Sequence, residues 1–166
     1  MEVVPFRPEH GSEVVALILG IQRGEFGMSI TAEQQPDLAR IPAYYQAGDG
    51  NFWVALAEGR VVGTISLLDI GASQGALRKM FVHPDFRGRE AGTARRLLDA
   101  LLTWCRERRL RDVFLGTTPH FLAAHRFYER SGFREIPKAA LPASFPVMEV
   151  DTKFYHRRLF DTEDGA

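Results

Sequence analysis

The sequence has a single cysteine, Cys105, no net formal charge, and apolar runs that stop at six residues, as at Val14 to Leu19. One cysteine cannot close an intramolecular disulfide, which points to a reducing compartment. Zero net charge argues against nucleic acid as the main partner, because duplex binders carry a basic excess to neutralise phosphates. Six apolar residues fall far short of the roughly 20 that a membrane helix needs, so no membrane partner is expected. Met1-Glu2-Val3-Val4-Pro5 shows no basic segment followed by an apolar one, so no secretory leader is expected, and the reading is cytoplasmic.

The chain has 166 residues, 45% hydrophobic and 25% charged, enough for one domain with its own core. We expect a single domain over residues 1–160 and a loose polar tail over 161–166. Most of the basic residues lie between Arg78 and Arg134, so local basicity matters more than the neutral total.

Val3 to Arg7 suits a short edge strand, where Pro5 is tolerated. Ser12 is a candidate N-cap for an amphipathic helix from Glu13 to Arg23. Thr31 and Gln34 have capping-box spacing, and a second helix is expected from Pro36 to Gln46. Phe52 to Ala57 and Val61 to Leu68 read as a hairpin across Glu58-Gly59-Arg60. A loop from Gly71 to Gly75 leads to a third strand, Leu77 to Val82, giving an antiparallel meander. Ala94, Leu97, Leu98, Leu101, Leu102 and Cys105 recur at spacings of three and four and form one apolar helical stripe. Val113 to Thr118 is the next strand, joined through that helix in a crossover that makes it a parallel neighbour of the third strand. A helix from Pro119 to Arg130 ends at Ser131-Gly132-Phe133, and Val147 to Leu159 alternates as a long final strand. The fold class is α/β, a mixed sheet with helices on its faces.

The stretch Val82 to Leu97 concentrates the chemistry. A strand ends, the chain turns through Pro84, Gly88 and Gly92, and a helix begins among Arg87, Arg89, Arg95 and Arg96. A helix N-terminus offers unpaired N–H groups and positive potential, so cations there are more easily understood if an anion arrives. Phosphate is the working ligand; a solvated helix start is the alternative.

Two motifs carry a family resemblance. Arg89-Glu90-Ala91-Gly92-Thr93-Ala94 matches a Gln/Arg-x-x-Gly-x-Gly/Ala turn, and Ala124-His125-Arg126-Phe127-Tyr128-Glu129-Arg130-Ser131-Gly132-Phe133 matches Ala-x-x-Phe-Tyr-x-x-x-Gly-Phe. In this order the chain resembles the GNAT superfamily of acyl-CoA-dependent N-acyltransferases. Familiar members begin the turn at the position of Arg87, which would put Glu90 where glycine is expected. The Arg89 register instead places Gly92 and Ala94 against the pyrophosphate.

The resemblance implies acetyl-CoA as cofactor, lying where the strands ending at Val82 and Thr118 splay apart. Its pantetheine would add to the edge of Met80, Phe81 and Val82. Its pyrophosphate would meet Arg87, Gly88, Arg89, Glu90, Ala91, Gly92, Thr93 and Ala94, with Phe127 nearby. Tyr128 matches the tyrosine that protonates the leaving sulfur in many members, and a packing role is its alternative. The implied reaction is direct attack of a primary amine of a small molecule or peptide on the thioester. A non-catalytic CoA-binding sensor is the competing reading. A lysine-like amine is neutral about once in 2,500 at pH 7, a cost of roughly 4.6 kcal/mol. Glu25, Asp69, His120 and His125 are candidate bases, with a water chain as the alternative. Thr117 and Thr118 could offer hydroxyls or cap the next helix. Acceptor choice is assigned to Gly24 to Thr31 and Pro137 to Phe145. Trp53, Phe26 and Met28 could line a substrate pocket or a homodimer interface.

Overall fold

A computed structural model describes residues 1–118 and 122–160. Strand β1 (Glu2–Pro5) is followed by helix α1 (Gly11–Leu19) and the one-turn helix α2 (Ile41–Tyr44). Strands β2 (Asn51–Ala57), β3 (Arg60–Gly71) and β4 (Gln74–Val82) form the meander. Helix α3 (Thr93–Glu107), strand β5 (Asp112–Thr117), helix α4 (Leu122–Arg130) and strands β6 (Arg134–Ile136) and β7 (Lys153–Arg158) complete the chain. One sheet runs β1-β2-β3-β4-β5-β7-β6, antiparallel except for the parallel β4–β5 pair. That pair is the crossover expected from the sequence, and the fold is the mixed α/β sheet.

The stripe on α3 buries Leu97, Leu98, Leu101, Leu102 and Cys105 against β2, β3 and β5 on one face. Each buried leucine contributes about 2 kcal/mol of transfer free energy. Cys105 lies wholly inside this core, and burial pushes its thiol up to about 12, so it is an inert packing residue. Helices α1 and α2 cover the other face through Val14, Ile18, Ile41 and Tyr45, packed on Phe52 and Val54. No described helix is long and apolar enough to cross a membrane.

Several local expectations are corrected. Ser12 does not cap α1: a 3-10 turn over Pro8–His10 runs straight into Gly11, and His10 Nδ1 accepts from the Arg7 N–H at 3.0 Å. After Leu19 the helix widens into a π turn over Gly20–Glu25. Thr31 and Gln34 do exchange their two bonds, at 3.0 and 3.3 Å, but they close a turn and no helix follows directly. The expected helix from Pro36 to Gln46 is instead a 3-10 turn, Pro36–Ala39, and the four residues of α2. Arg40 between them is off-helix at φ −135°, and Pro42, lacking an N–H, is tolerated only in the first turn of a new helix. The β3–β4 link is just Ala72-Ser73, both left-handed at φ 54° and 59°, so Gly71 and Gln74 already pair. The final strand starts at Lys153, because Met148 and Asp151 close a turn before it. Trp53 is core, edge-on to Trp104.

Candidate active site

Parallel pairing between β4 and β5 covers only Gln74–Ala76 against Asp112–Phe114. Beyond it the strands part, and among the described residues the edge of β4 from residue 77 to 82 carries no strand partner on that side. The cause lies within β4. Thr64 pairs with Phe81 and Ser66 with Arg78, so β4 carries one residue more than β3 across this interval. The extra residue is a bulge at Lys79, held left-handed at φ 53°, and a bulge bends its strand and increases its twist. Thr64 Oγ1 donates to the Lys79 carbonyl at 2.7 Å and Ser66 Oγ to the Arg78 carbonyl at 2.6 Å, so the bulged carbonyls stay satisfied.

At the far end of β4 the chain passes through a 3-10 turn, Pro84–Phe86, into a loop closed by the Gly92 N–H to the Gly88 carbonyl at 3.1 Å. Gly88 and Gly92 have φ of 97° and 68°, where a side chain would be strained. Gly92 is the N-cap of α3, and no side chain caps that helix. The amides of Thr93, Ala94 and Arg95 therefore lack intrahelical acceptors. Thr93 contributes only backbone here, since its side chain is buried and its hydroxyl donates to Met1 Sδ.

The arginines divide the work. Arg95 is tied to Ser131 Oγ at 2.8 Å and lies over the Phe127 ring, and Arg96 donates to the Met1 carbonyl. Arg87 donates through Nε to the Val82 carbonyl at 2.9 Å and grips Glu25 with both terminal nitrogens, at 2.5 and 2.7 Å. Arg89 and Glu90 are exposed, as is Gly88, and neither charge forms an ion pair among the described residues. Ala91 and Ala94 are half-buried beside them.

The candidate acid and bases fare differently. Tyr128 is buried against Phe127, Phe133 and Tyr155, and its hydroxyl donates to Met80 Sδ at 3.5 Å, at the unpaired part of β4. Burial raises its phenol above the ordinary value, so it stays a donor across the neutral range. Glu25 is held below the usual carboxylate range by the Arg87 hydrogen bonds, which makes it a poor base. Asp69 accepts from the Asp49 and Gly71 amides at the opposite end of the sheet. His125 is buried and its Nε2 bonds the Thr118 carbonyl at 2.8 Å, tying α4 to the end of β5. Thr117 takes the Thr152 amide on its carbonyl. His120 lies outside the described residues.

Sequence reasoning missed a polar cluster on the α1 and α2 face of β4. Lys79 Nζ stands 3.7 Å from Asp37 Oδ2 and donates to Gln35 Oε1, while Tyr45 donates to the same Asp37 oxygen at 2.6 Å. Arg78 donates to the Tyr44 hydroxyl at 3.0 Å and lies near the Tyr44 and Tyr45 rings. The signal was present as two cations inside the apolar run Leu77-Arg78-Lys79-Met80-Phe81-Val82, but their partners are distant in sequence.

Comparison with known proteins gives the same grouping. Residues 16–133 match the model of the acetyltransferase (GNAT) family. A GNAT-family acetyltransferase from Staphylococcus aureus MU50 superposes with a TM-score of 0.91 at 36% identity, covering 96% of this chain and 99% of that one. An acetyltransferase from Streptococcus agalactiae superposes at 0.90 with 31% identity, covering 95% and 98%. N-acetylaspartate synthetase from Danio rerio is 37% identical over 102 residues, 60% of this chain but 36% of that protein. The chain thus spans between a third and a half of the length of the curated relatives it matches. With a split β4–β5 pair, a glycine-capped α3 and both motifs in place, the chain belongs to the GNAT acetyltransferase family.

Proposed function

We propose that this chain is an acetyl-CoA-dependent N-acetyltransferase acting on a primary amine of a small molecule or peptide. The observation that carries it is the unpaired β4 edge lying between the uncapped N-terminus of α3 and the buried Tyr128 hydroxyl. An extended chain of amides fits a bare strand edge, and a pyrophosphate fits free helix amides beside arginine. Backbone groups of Met80, Phe81 and Val82 would hold the pantetheine, and the amides of Thr93, Ala94 and Arg95 with Arg89 the pyrophosphate, while Gly92, its own amide closed onto Gly88, lets the anion approach. Bound acetyl-CoA supplies an activated thioester that an amine can open to an amide. Tyr128 holds a proton at its oxygen for the departing sulfur, a modest demand because a thiol near pKa 8.5 leaves readily. The buried wall around Tyr128 keeps water away.

Tyr128→Phe is expected to lower turnover by about 100-fold, the low end of the roughly 10²–10⁴-fold that one positioned acid contributes, because the thiol leaves readily. Acetyl-CoA affinity, measured by calorimetry, should stay nearly unchanged; lost affinity would make Tyr128 a packing residue alone. Arg87 must choose between Glu25 and an arriving anion. Glu25→Gln should therefore raise acetyl-CoA affinity several-fold at low salt and less at ~1 M salt, where screening extends only ~3 Å. Unchanged affinity at low salt would show that Arg87 takes no part in binding.

The reading places the protein in the cytoplasm, with neither nucleic acid nor membrane as partner. A homodimer would use exposed groups such as Phe26, since Trp53 is core. Its acceptor is to be found by a thiol-release screen over aminoglycosides, polyamines, amino acids and peptide N-termini. The engaged state of Glu25, Asp69 and His125 favours a second reading, a CoA-binding module without catalysis. Thiol release above the hydrolysis background would exclude it.

A further inference from the structure

Two opposite charges stand on the lips of the split, on one face of the sheet. Ala76 and Phe114 are paired neighbours in one apolar cluster with Phe145 and Phe154. Strand alternation puts Arg78 and Gly116, two residues further along each strand, on that same face. There the strands have already parted. Arg78 is half-buried, and among the described residues it forms no salt bridge. Its terminal nitrogens are met by the neutral Tyr44 hydroxyl at 3.0 Å and by Met148 Sδ at 3.4 Å. A thioether is a weak acceptor, so a carboxylate would displace it readily.

Asp151 occupies the other lip. Its carboxylate lies over Gly116 so closely that a methyl there would stand 2.6 Å from Oδ2. The Met148 amide donates to Oδ2 at 3.2 Å, so one residue touches both the cation and the carboxylate. Burial raises the Asp151 carboxyl above its ordinary value, while the Met148 amide and the Arg78 charge pull it back. A carboxylate so placed accepts a proton more readily than an exposed one.

We infer that this face of the split binds a zwitterion, with Arg78 holding the carboxylate of an amino-acid acceptor and Asp151 holding its ammonium group. The inference rests on the acetyltransfer reading and names the acceptor class for it. Asp151 takes one proton from the ammonium nitrogen, forming the carboxylic acid and a neutral amine whose lone pair is free to attack. Lys79 is not a second carboxylate site, because Asp37 already neutralises it. One guanidinium therefore selects one carboxylate near the reacting amine.

The test compares L-amino acids with their C-terminal amides as acceptors in the full chain, wild type and variants, with acetyl-CoA affinity followed by calorimetry. Wild type should prefer acids over amides by on the order of 100-fold in kcat/KM, because the amide leaves Arg78 without its charge partner. Arg78→Met should erase that preference through KM while acetyl-CoA affinity holds, and Arg78→Lys should restore part of it. Titrating an amino acid, but not its amide, should shift the Arg78 side-chain N–H resonance in wild type; this readout needs no turnover. Asp151→Asn should lower kcat for acids and amides alike. If Arg78→Met melts early, Arg78→Lys and the resonance shift carry the test. Equal use of acids and amides by wild type, or a preference that survives in Arg78→Met, overturns the inference and leaves acetyltransfer standing. Failure to bind acetyl-CoA overturns the acetyltransfer reading itself, and the inference with it.

Discussion

Gly92→Glu is expected to lower acetyl-CoA affinity by at least 100-fold, about 2.8 kcal/mol, while leaving the protein folded. Gly92 caps α3 at φ 68°, and the nearest non-neighbouring atom to an added Cβ is the Arg89 carbonyl oxygen at 3.9 Å. Space is available, so the fold loses only the left-handed penalty of about 1 kcal/mol. A carboxylate at a helix N-terminus returns some 0.3–1 kcal/mol by its attraction to the positive end of the dipole. The melting temperature should therefore move little. Binding is another matter: the new carboxylate competes for the Thr93 and Ala94 amides and repels the pyrophosphate. Gly92→Ala separates the two effects, since it carries the strain without the charge and should keep most of the affinity. Calorimetry on the three proteins checks this, and full affinity in Gly92→Glu would remove the α3 N-terminus from the coenzyme site.

Asp37→Ala should destabilise the protein by about 3–5 kcal/mol, the usual result of leaving one member of a buried ion pair behind. The side chains of Lys79 and Asp37 are only 8% and 10% exposed. Without Asp37 the ammonium retains the Gln35 oxygen alone, and the Tyr45 hydroxyl loses its acceptor. Burial already holds Lys79 below its ordinary pKa, with Asp37 pulling it back. Removing Asp37 lowers it further. The unfolded chain then binds more protons than the folded one between the depressed value and ~10.4, so stability must rise with pH in that window. Asp37→Ala should accordingly melt later at pH 9 than at pH 7, and by a larger margin than wild type. Adding Lys79→Met to Asp37→Ala should recover much of the loss and flatten the pH dependence, because an apolar replacement leaves no orphaned charge. Thermal melts at both pH values decide the matter; a small loss in Asp37→Ala would mean that the pair contributes nothing net. The same cluster anchors the β4 bulge, so its stability bears on whether the split between β4 and β5 is kept.

Much of the fold was legible because local chemistry and tertiary structure agree. The α3 stripe, the Glu58-Gly59 hairpin and the parallel crossover each follow from spacing that only one arrangement satisfies. The glycine-rich turn was equally readable: Gly88 and Gly92 adopt backbone angles that other residues avoid. Failures fall where a local signal was overruled or overlooked. Pro42 divides what periodicity alone reads as one helix, and alternation from Val147 ignores the turn between Met148 and Asp151. Ala72-Ser73 adopts a two-residue turn without the glycine that usually marks one.

The candidate site divides along the same line. The proposed coenzyme half is built from contiguous chain, Met80 to Ala94, and could be read as motif. The proposed acceptor half is assembled from Tyr44, Arg78, Met148 and Asp151, whose meeting depends on the bulge at Lys79 and on β7 lying beside β5. A positive φ at a lysine leaves no mark in the sequence, so this cluster stayed hidden. Glu25 shows the converse, since its acidity suggested a base and only the contact with Arg87 reveals its occupation.

Acetyl transfer is tested most directly by titrating acetyl-CoA into the protein by calorimetry, then adding an amino-acid mixture and following N-acetylated product by mass spectrometry. Saturable one-to-one binding below ~1 mM, a free energy of at least about 4 kcal/mol, followed by product that Tyr128→Phe forms more slowly, is the predicted result. No binding heat at ~1 mM, together with no product from any amine, would contradict it.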